Sequence, residues 1–453
     1  DKAVKTARDL VRKQTFRNPG VSADGTWLLA ECQGSALYQV SIDLADAAAP
    51  VGRCTCPSHK FPCKHALGLM LAYLDAPGSF TPREPSPALL AKREKQAERV
   101  PKPEAAGPKP KKANLAAQAK KVAAQREGLD LLERLLLDLV AGGPWASPSG
   151  LARLERQANQ MNDAYLPGAR AMLRRLVLLD VGHELPDDVR NALASDLIGQ
   201  IWATVQKGRA SLDGKLAGDE AEAVVEDLLG HSWKLDELRA KGSTRRDLSL
   251  LELAYERVDD LAREERVETS HLIERNDGTI YRAITYRPFK GLARIAEQPS
   301  YAEALTVAEA AVYPGFLNRR IRWEKGAEQS TPRTPDHLRA ACAAAAPALE
   351  PVLAAFRQQL KNPLAPREAV VLVRYARVGR VGDRVVLEDD PGARLEAADL
   401  PDVAGNVANL VRAAGMIAQP AVLARLHVVP VANTIVAQPL AALSADVHLR
   451  LGL

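Results

Sequence analysis

The stretch Arg53-Cys54-Thr55-Cys56-Pro57-Ser58-His59-Lys60-Phe61-Pro62-Cys63-Lys64-His65 gathers three of the chain's five cysteines and two of its eight histidines. The spacing is C-x-C, six residues, then C-x-H. In an extended strand residues i and i+2 face the same way, so Cys54 and Cys56 present both sulfurs to one side. Pro57 and Pro62 punctuate a loop that returns Cys63 and His65 toward them. Three thiolates and one imidazole make a closed tetrahedral donor set. Soft sulfur ligands favour zinc or an iron–sulfur cluster over magnesium or calcium. Buried thiols or a disulfide would give the C-x-H no role at loop-closing distance, so one structural Zn2+ is the expected occupant. With three thiolates the site carries a net charge of about −1. Arg53, Lys60 and Lys64 stand beside it, either offsetting that charge or lying as ordinary solvated cations. His59, inside the short loop, is a spare ligand candidate expected to be exposed or to sit behind the four ligands.

The flanks complete a module. Leu67, Met70, Leu71 and Leu74 recur at helical spacing, which predicts a helix from Cys63 to Leu74 ended by Asp75, Pro77 and Gly78. Upstream, residues 26–32 and 36–42 read as two strands joined by Gln33-Gly34-Ser35. The unit is a small ββ(β)α zinc-finger module. This pattern resembles the SWIM-type zinc finger, whose signature is C-x-C-x(n)-C-x-H with n of six or more. The segment from Cys56 through Cys63-Lys64-His65-Ala66-Leu67-Gly68-Leu69 is similar to the bacterial members. The resemblance covers about residues 20–75. It implies a module without activity of its own that binds DNA or protein. Bacterial SWIM proteins of this kind are often encoded beside MoxR-type AAA ATPases and von Willebrand A-type proteins, so the resemblance implies such a system as partner.

At 453 residues the chain has room for two or three domains. The expected fold class is a multidomain α+β protein. The divisions are a SWIM-type zinc-finger domain at 1–80, a Pro/Lys-rich basic linker at 81–126, a mainly helical domain at 127–364 and a small α+β domain at 365–453. The linker reading rests on twelve Lys/Arg against four Glu, with Pro-Lys repeats and few large apolar residues. Residues 127–453 carry 40 Lys/Arg against 45 Asp/Glu, so the formal charge of +5 is an asymmetric sum. Helices are expected over 129–140, 151–165, 169–179, 187–207, 220–229 and 248–267. The Asp277-Gly278 turn predicts a hairpin near residues 270–286. Beyond residue 365, β-like runs at 369–375, 384–388, 424–429 and 434–437 surround a helix at 403–414.

Catalytic patterns are sparse. Gly208 to Leu216 has the outline of a phosphate loop, but five residues separate its glycines and Leu216 stands where Ser or Thr holds magnesium. His183-Glu184 lacks a second histidine, and no Gly-x-Ser-x-Gly elbow is present. His231, His271, His337, His427 and His448 are isolated in sequence, and Cys32 and Cys342 read as buried thiols. No run of 18 apolar residues suggests a membrane span. No signal peptide is read in the sequence, which begins at Asp1 without Met. An odd cysteine count clustered for metal fits a reducing cytoplasm. The expectation is therefore a cytoplasmic, non-catalytic zinc-binding adaptor for protein partners. The alternative is a nucleic-acid-binding protein using the finger and the basic linker.

Overall fold

A computed structural model of the chain describes residues 2–33, 37–46, 50–56, 63–97, 115–142, 148–181, 185–216, 223, 225, 228–292, 295, 297, 300–400, 405–417 and 420–452. It divides into two compact units, Asp1–Lys111 and Lys112–Leu453.

The first unit opens with α1 (Lys2–Arg12), then β1 (Phe16–Val21), β2 (Trp27–Gln33), β3 (Leu37–Asp43) and β4 (Val51–Cys54). Helix α2 (Lys64–Asp75), the short β5 (Thr81–Pro82) and α3 (Pro87–Ala97) follow. The sheet order is β4-β3-β2-β1-β5. Alternation aims Leu28, Ala30 and Cys32 of β2 and Val40 and Ile42 of β3 at one face, where Ala66 and Leu69 of α2 cover them. Gly68 permits the close approach of β1, because a Cβ there would stand 2.8 Å from the Phe16 ring.

Helix α2 lies where the spacing placed it, with its phase turned. Its buried residues are His65, Ala66, Gly68 and Leu69, whereas Leu74 of the expected stripe is 75% exposed. Anchoring Cys63 and His65 beside β4 fixes which side of the helix meets the sheet. The apolar stripe therefore does not choose it.

The described ends of the segment expected as a linker carry regular structure. Thr81-Pro82 pairs with β1, and Arg93 of α3 reaches the sheet. Its guanidinium donates to both Asp43 carboxylate oxygens at 2.7 and 2.9 Å and to the Thr26 hydroxyl at 2.9 Å. It also lies 4.4 Å from the Trp27 ring centroid. At the far end, residues 115–126 belong to a helix of the second unit. Residues 98–114 lie outside the described residues.

In the second unit α4 (Leu115–Gly142), α5 (Pro148–Asp163), α6 (Pro167–Val181) and α7 (Asp187–Leu212) enclose an apolar core that includes Leu129, Leu132, Leu154, Met161, Leu173 and Ile201. Gly208 sits inside α7, so the phosphate-loop outline begins within a helix that runs on to Leu212. The helix expected at 220–229 falls mostly outside the described residues.

After α8 (Leu235–Ala240) the chain turns to strand, where the sequence predicts helix. β6 (Thr244–Asp260), β7 (Glu265–Glu274), β8 (Ile280–Pro288), β9 (Ala304–Val312), β10 (Ile321–Arg322) and β11 (Glu328–Thr331) form an antiparallel sheet ordered β10-β9-β6-β7-β8, with β11 on β9. β7 and β8 turn at Asn276-Asp277-Gly278, with Ile273 opposite Ile280. The sheet curls until Arg282 of β8 bridges Arg320 beside β10. Leu248, Leu250, Leu272, Leu305 and Val307 fill the inside of the curl.

Two helices, α9 (Pro335–Ala343) and α10 (Leu349–Leu360), lead into the last sheet. It comprises β12 (Glu368–Arg374), β13 (Arg377–Val381), β14 (Arg384–Glu388), β15 (Arg394–Ala397), β16 (Ala421–Val429), β17 (Thr434–Leu443) and β18 (His448–Arg450), with α11 (Asn406–Ala414) inserted before β16. The order is β12-β16-β17-β15-β14-β13, with β18 on β17. Val370 and Leu372 of β12 pack with Leu251, Leu253 and Ile273 of the curled sheet. Val373, one pleat over, joins Leu353 and Phe356 of α10 and Leu410 of α11. The result is a layered body: curled sheet, second sheet, helices.

Charged groups tie the two sheets together. Glu256 of β6 accepts from His271 of β7 at 2.5 Å and from the Arg425 guanidinium of β16. Arg425 also donates to Gln438 at 2.9 Å and lies 3.1 Å from Glu368. Burial opposes ionisation of Glu256, but the hydrogen bond from His271 and the Arg425 charge outweigh it and bring its pKa down to about 2.

Arg93→Ala leaves the 8%-exposed Asp43 carboxylate without its partner. Breaking a largely buried pair costs roughly 2–4 kcal/mol. Brief trypsin treatment of the full chain is expected to cut residues 87–97 much faster in the variant; equal rates would refute the docking. Glu256 is more acidic in the folded state, so its contribution is complete above its unfolded pKa near 4.5 and is lost as pH falls toward about 2. The stability gap between wild type and Glu256→Gln in urea unfolding should shrink by a few kcal/mol, at most about 3, between pH 5 and pH 2.

Candidate metal centre

Cys54 ends β4, Cys56 lies two residues beyond it, Cys63 is the N-cap of α2 and His65 occupies the first turn of that helix. The four ligand atoms lie within 4.8 Å of one another. Cys54 Sγ stands 3.7 Å from His65 Nδ1. Zinc with bonds of about 2.3 Å to sulfur and about 2.0–2.1 Å to nitrogen sets tetrahedral ligand atoms about 3.5–3.8 Å apart. The cluster fits that ion with a slight contraction.

The electrostatics ask for a cation. Burial pushes the Cys54 thiol up to about 12, opposed by a backbone hydrogen bond from Cys56 and reinforced by the neighbouring Cys56 and Cys63 sulfurs. Three thiolates this close repel one another, and a divalent ion reverses the balance by holding the thiols deprotonated. His65 is 3% exposed, and burial, with the Lys64 charge, lowers its pKa. The imidazole is therefore neutral near pH 7, the form that ligates metal. A bound Zn2+ would be held by Cys54, Cys56, Cys63 and His65, and its chemistry would be the cross-linking of β4 to the start of α2.

Two supports are not marked by the spacing. The Ala66 amide donates to Cys63 Sγ at 3.4 Å, so the helix N-terminus faces a thiolate and favours its charge. The Tyr38 ring packs against the His65 ring with centroids 5.1 Å apart, fixing the imidazole plane. Tyr38 reads in sequence only as an alternating strand residue. Among the flanking cations, Arg53 is half-buried on β4 and Lys64 is exposed at the start of α2. His59 and Lys60 lie outside the described residues. Cys32 is buried as expected, whereas Cys342 is only half-buried, with burial raising its thiol.

Residues 38–74 match the family model of the SWIM zinc finger, a span that takes in β4 and nearly all of β3 and α2. The chain therefore carries a SWIM zinc-finger module, and its four metal-ligand positions are the four clustered side chains. The chain matches no curated protein and no solved structure. No helix among the described residues is long and apolar enough to cross a membrane.

Elemental analysis of protein purified without chelator should give one zinc per chain. Structural zinc in small modules contributes on the order of 10 kcal/mol to folding at neutral pH. Cys63→Ser is thus expected to lose the metal and render residues 1–97 sensitive to protease, while the helical circular dichroism of the second unit persists. Metal-free protein whose first unit still resists protease would contradict the assignment.

Proposed function

We propose that this chain is a non-catalytic adaptor that binds protein partners through a zinc-stabilised module and the body attached to it. The observation that supports this most is the donor set: four protein ligands leave no coordination position for water or substrate. Such an ion holds structure and does no chemistry. The likeness to bacterial SWIM proteins supports a MoxR-type AAA ATPase and a von Willebrand A-type protein as the partner system. Charge placement points the same way, because residues 127–453 carry more acidic than basic residues and offer no broadly basic footprint for a polyanion.

Nucleic acid is the second reading. It is supported by the 21 Lys/Arg against 11 Asp/Glu in residues 1–126, around the finger. Salt separates the two. An apolar, desolvated protein interface weakens little with ionic strength. A phosphate binder neutralising Z charges loses duplex affinity with a log–log slope near −0.9Z. The chain isolated from its native cells is expected to retain an AAA ATPase through physiological salt, while duplex DNA binds weakly and without sequence preference. Tight duplex binding that survives physiological salt and discriminates between sequences would replace the adaptor reading.

A further inference from the structure

At one mouth of the curled sheet lies a cleft of about 490 Å3 between the start of β6, the β8 end of the hairpin turn and the loop before β10. Arg245 and Arg319 line it together with the hydroxyl-bearing Ser243, Thr244 and Thr279, and no Asp or Glu stands among its described lining residues. Phe316 and neighbouring aliphatic side chains form an apolar wall on the same cleft. We propose that this cleft binds a phosphate monoester carried on a small apolar body.

The donor chemistry fits that ligand. A guanidinium presents a planar fork that pairs with two phosphate oxygens, and hydroxyls donate to those left over. Near neutral pH the monoester is largely a dianion, a charge that suits a cleft lined by Arg245 and Arg319. The volume lies in the range of small-molecule sites, where an apolar wall takes the body of the ligand and a few polar groups fix its head. Nearby Glu309 and Glu324 are engaged by Arg239 at 2.9 and 2.8 Å, outside the cleft lining.

The loop bearing Arg319 is held in place before any ligand arrives. Asn318 takes a left-handed backbone with φ 57°. Its side-chain amide accepts from Val370 N at 2.6 Å and donates to Val370 O at 2.7 Å. Arg282 donates through its backbone N–H to Arg319 O at 3.0 Å and through Nε to Asn318 O at 2.8 Å. The Arg320 guanidinium packs over the Tyr313 and Tyr286 rings at 4.5 and 5.2 Å. Ser243 O accepts from Val312 N at 2.9 Å, which fixes the opposing wall. An asparagine tolerates this left-handed conformation, and its two bonds to the Val370 backbone hold the loop in place.

The test is calorimetric titration of the zinc-loaded full chain with phenyl phosphate. Saturable one-to-one binding is expected. Arg245→Gln and Arg319→Gln should each weaken it at least about tenfold, as loss of a charge-assisted pair does. Phe316→Ala should weaken phenyl phosphate while leaving inorganic phosphate unchanged. Arg246→Gln, which alters a pair with Glu309 away from the cleft, should bind like wild type. Unaltered melting temperatures exclude misfolding, and two independent arginine variants keep the test valid if one fails to fold. The proposal is overturned if phenyl phosphate binds no better than phenol, if both folded arginine variants bind like wild type, or if an oligonucleotide lacking a terminal phosphate competes equally well.

Discussion

The first unit depends on one electrostatic constraint: three cysteine sulfurs and an imidazole nitrogen share a space 4.8 Å across. Without a cation burial and the neighbouring sulfurs raise the Cys54 thiol to about 12, which keeps it protonated. With a divalent ion the same crowding becomes coordination, and the energy of binding becomes energy of folding. The consequences run outward through the packing. Holding Cys63 and His65 to β4 sets the rotation of α2, which puts Ala66 and Leu69 on the sheet and leaves Leu74 in solvent. The absent side chain at Gly68 then lets Phe16 of β1 close over the remaining side.

That constraint explains why the finger was legible in the sequence and its helix phase was not. C-x-C and C-x-H fix relative positions chemically, independent of burial, so Cys54, Cys56, Cys63 and His65 could be named from spacing alone. The apolar stripe from Leu67 to Leu74 is a packing signal, and a metal anchor outweighs it. The docking of α3 had a subtler origin. Arg93 sits in a Lys/Glu-rich segment that composition assigns to solvent, yet it finds a buried carboxylate, a hydroxyl and a Trp face together. None of those partners is adjacent to it in sequence.

The main misreading, β6 as helix, comes from burial on two faces. A half-exposed strand alternates, but β6 sends Leu248 and Leu250 into the curl and Leu251 and Leu253 toward the second sheet. A β-bulge between Glu252 and Ala254 shifts the pattern further. Consecutive apolar residues with charges at intervals then look like an amphipathic helix, and periodicity cannot separate the two. The same double burial applies to β12 and β16, yet their Val- and Leu-rich runs are short and bounded by turn residues, and they read correctly. Length, more than hydrophobicity, misled at Leu248–Val267.

Burying a strand on both faces also forces its charged residues to find partners, and this bears on what the body does. Glu256, His271 and Arg425 come from three strands of two sheets and meet with His271 and Arg425 buried and Glu256 only partly exposed. A carboxylate bonded to an imidazole is half of an acid–base relay, so the arrangement invites a catalytic reading. The remaining nitrogen, His271 Nδ1, is buried and has no hydrogen-bond partner among the described residues. A relay must hand its proton to something a substrate can reach. Here the second partner of Glu256 is a guanidinium, which has no proton to exchange near neutral pH and whose role is to pin one sheet to the other. The sequence-isolated histidine is thus a joint in the framework.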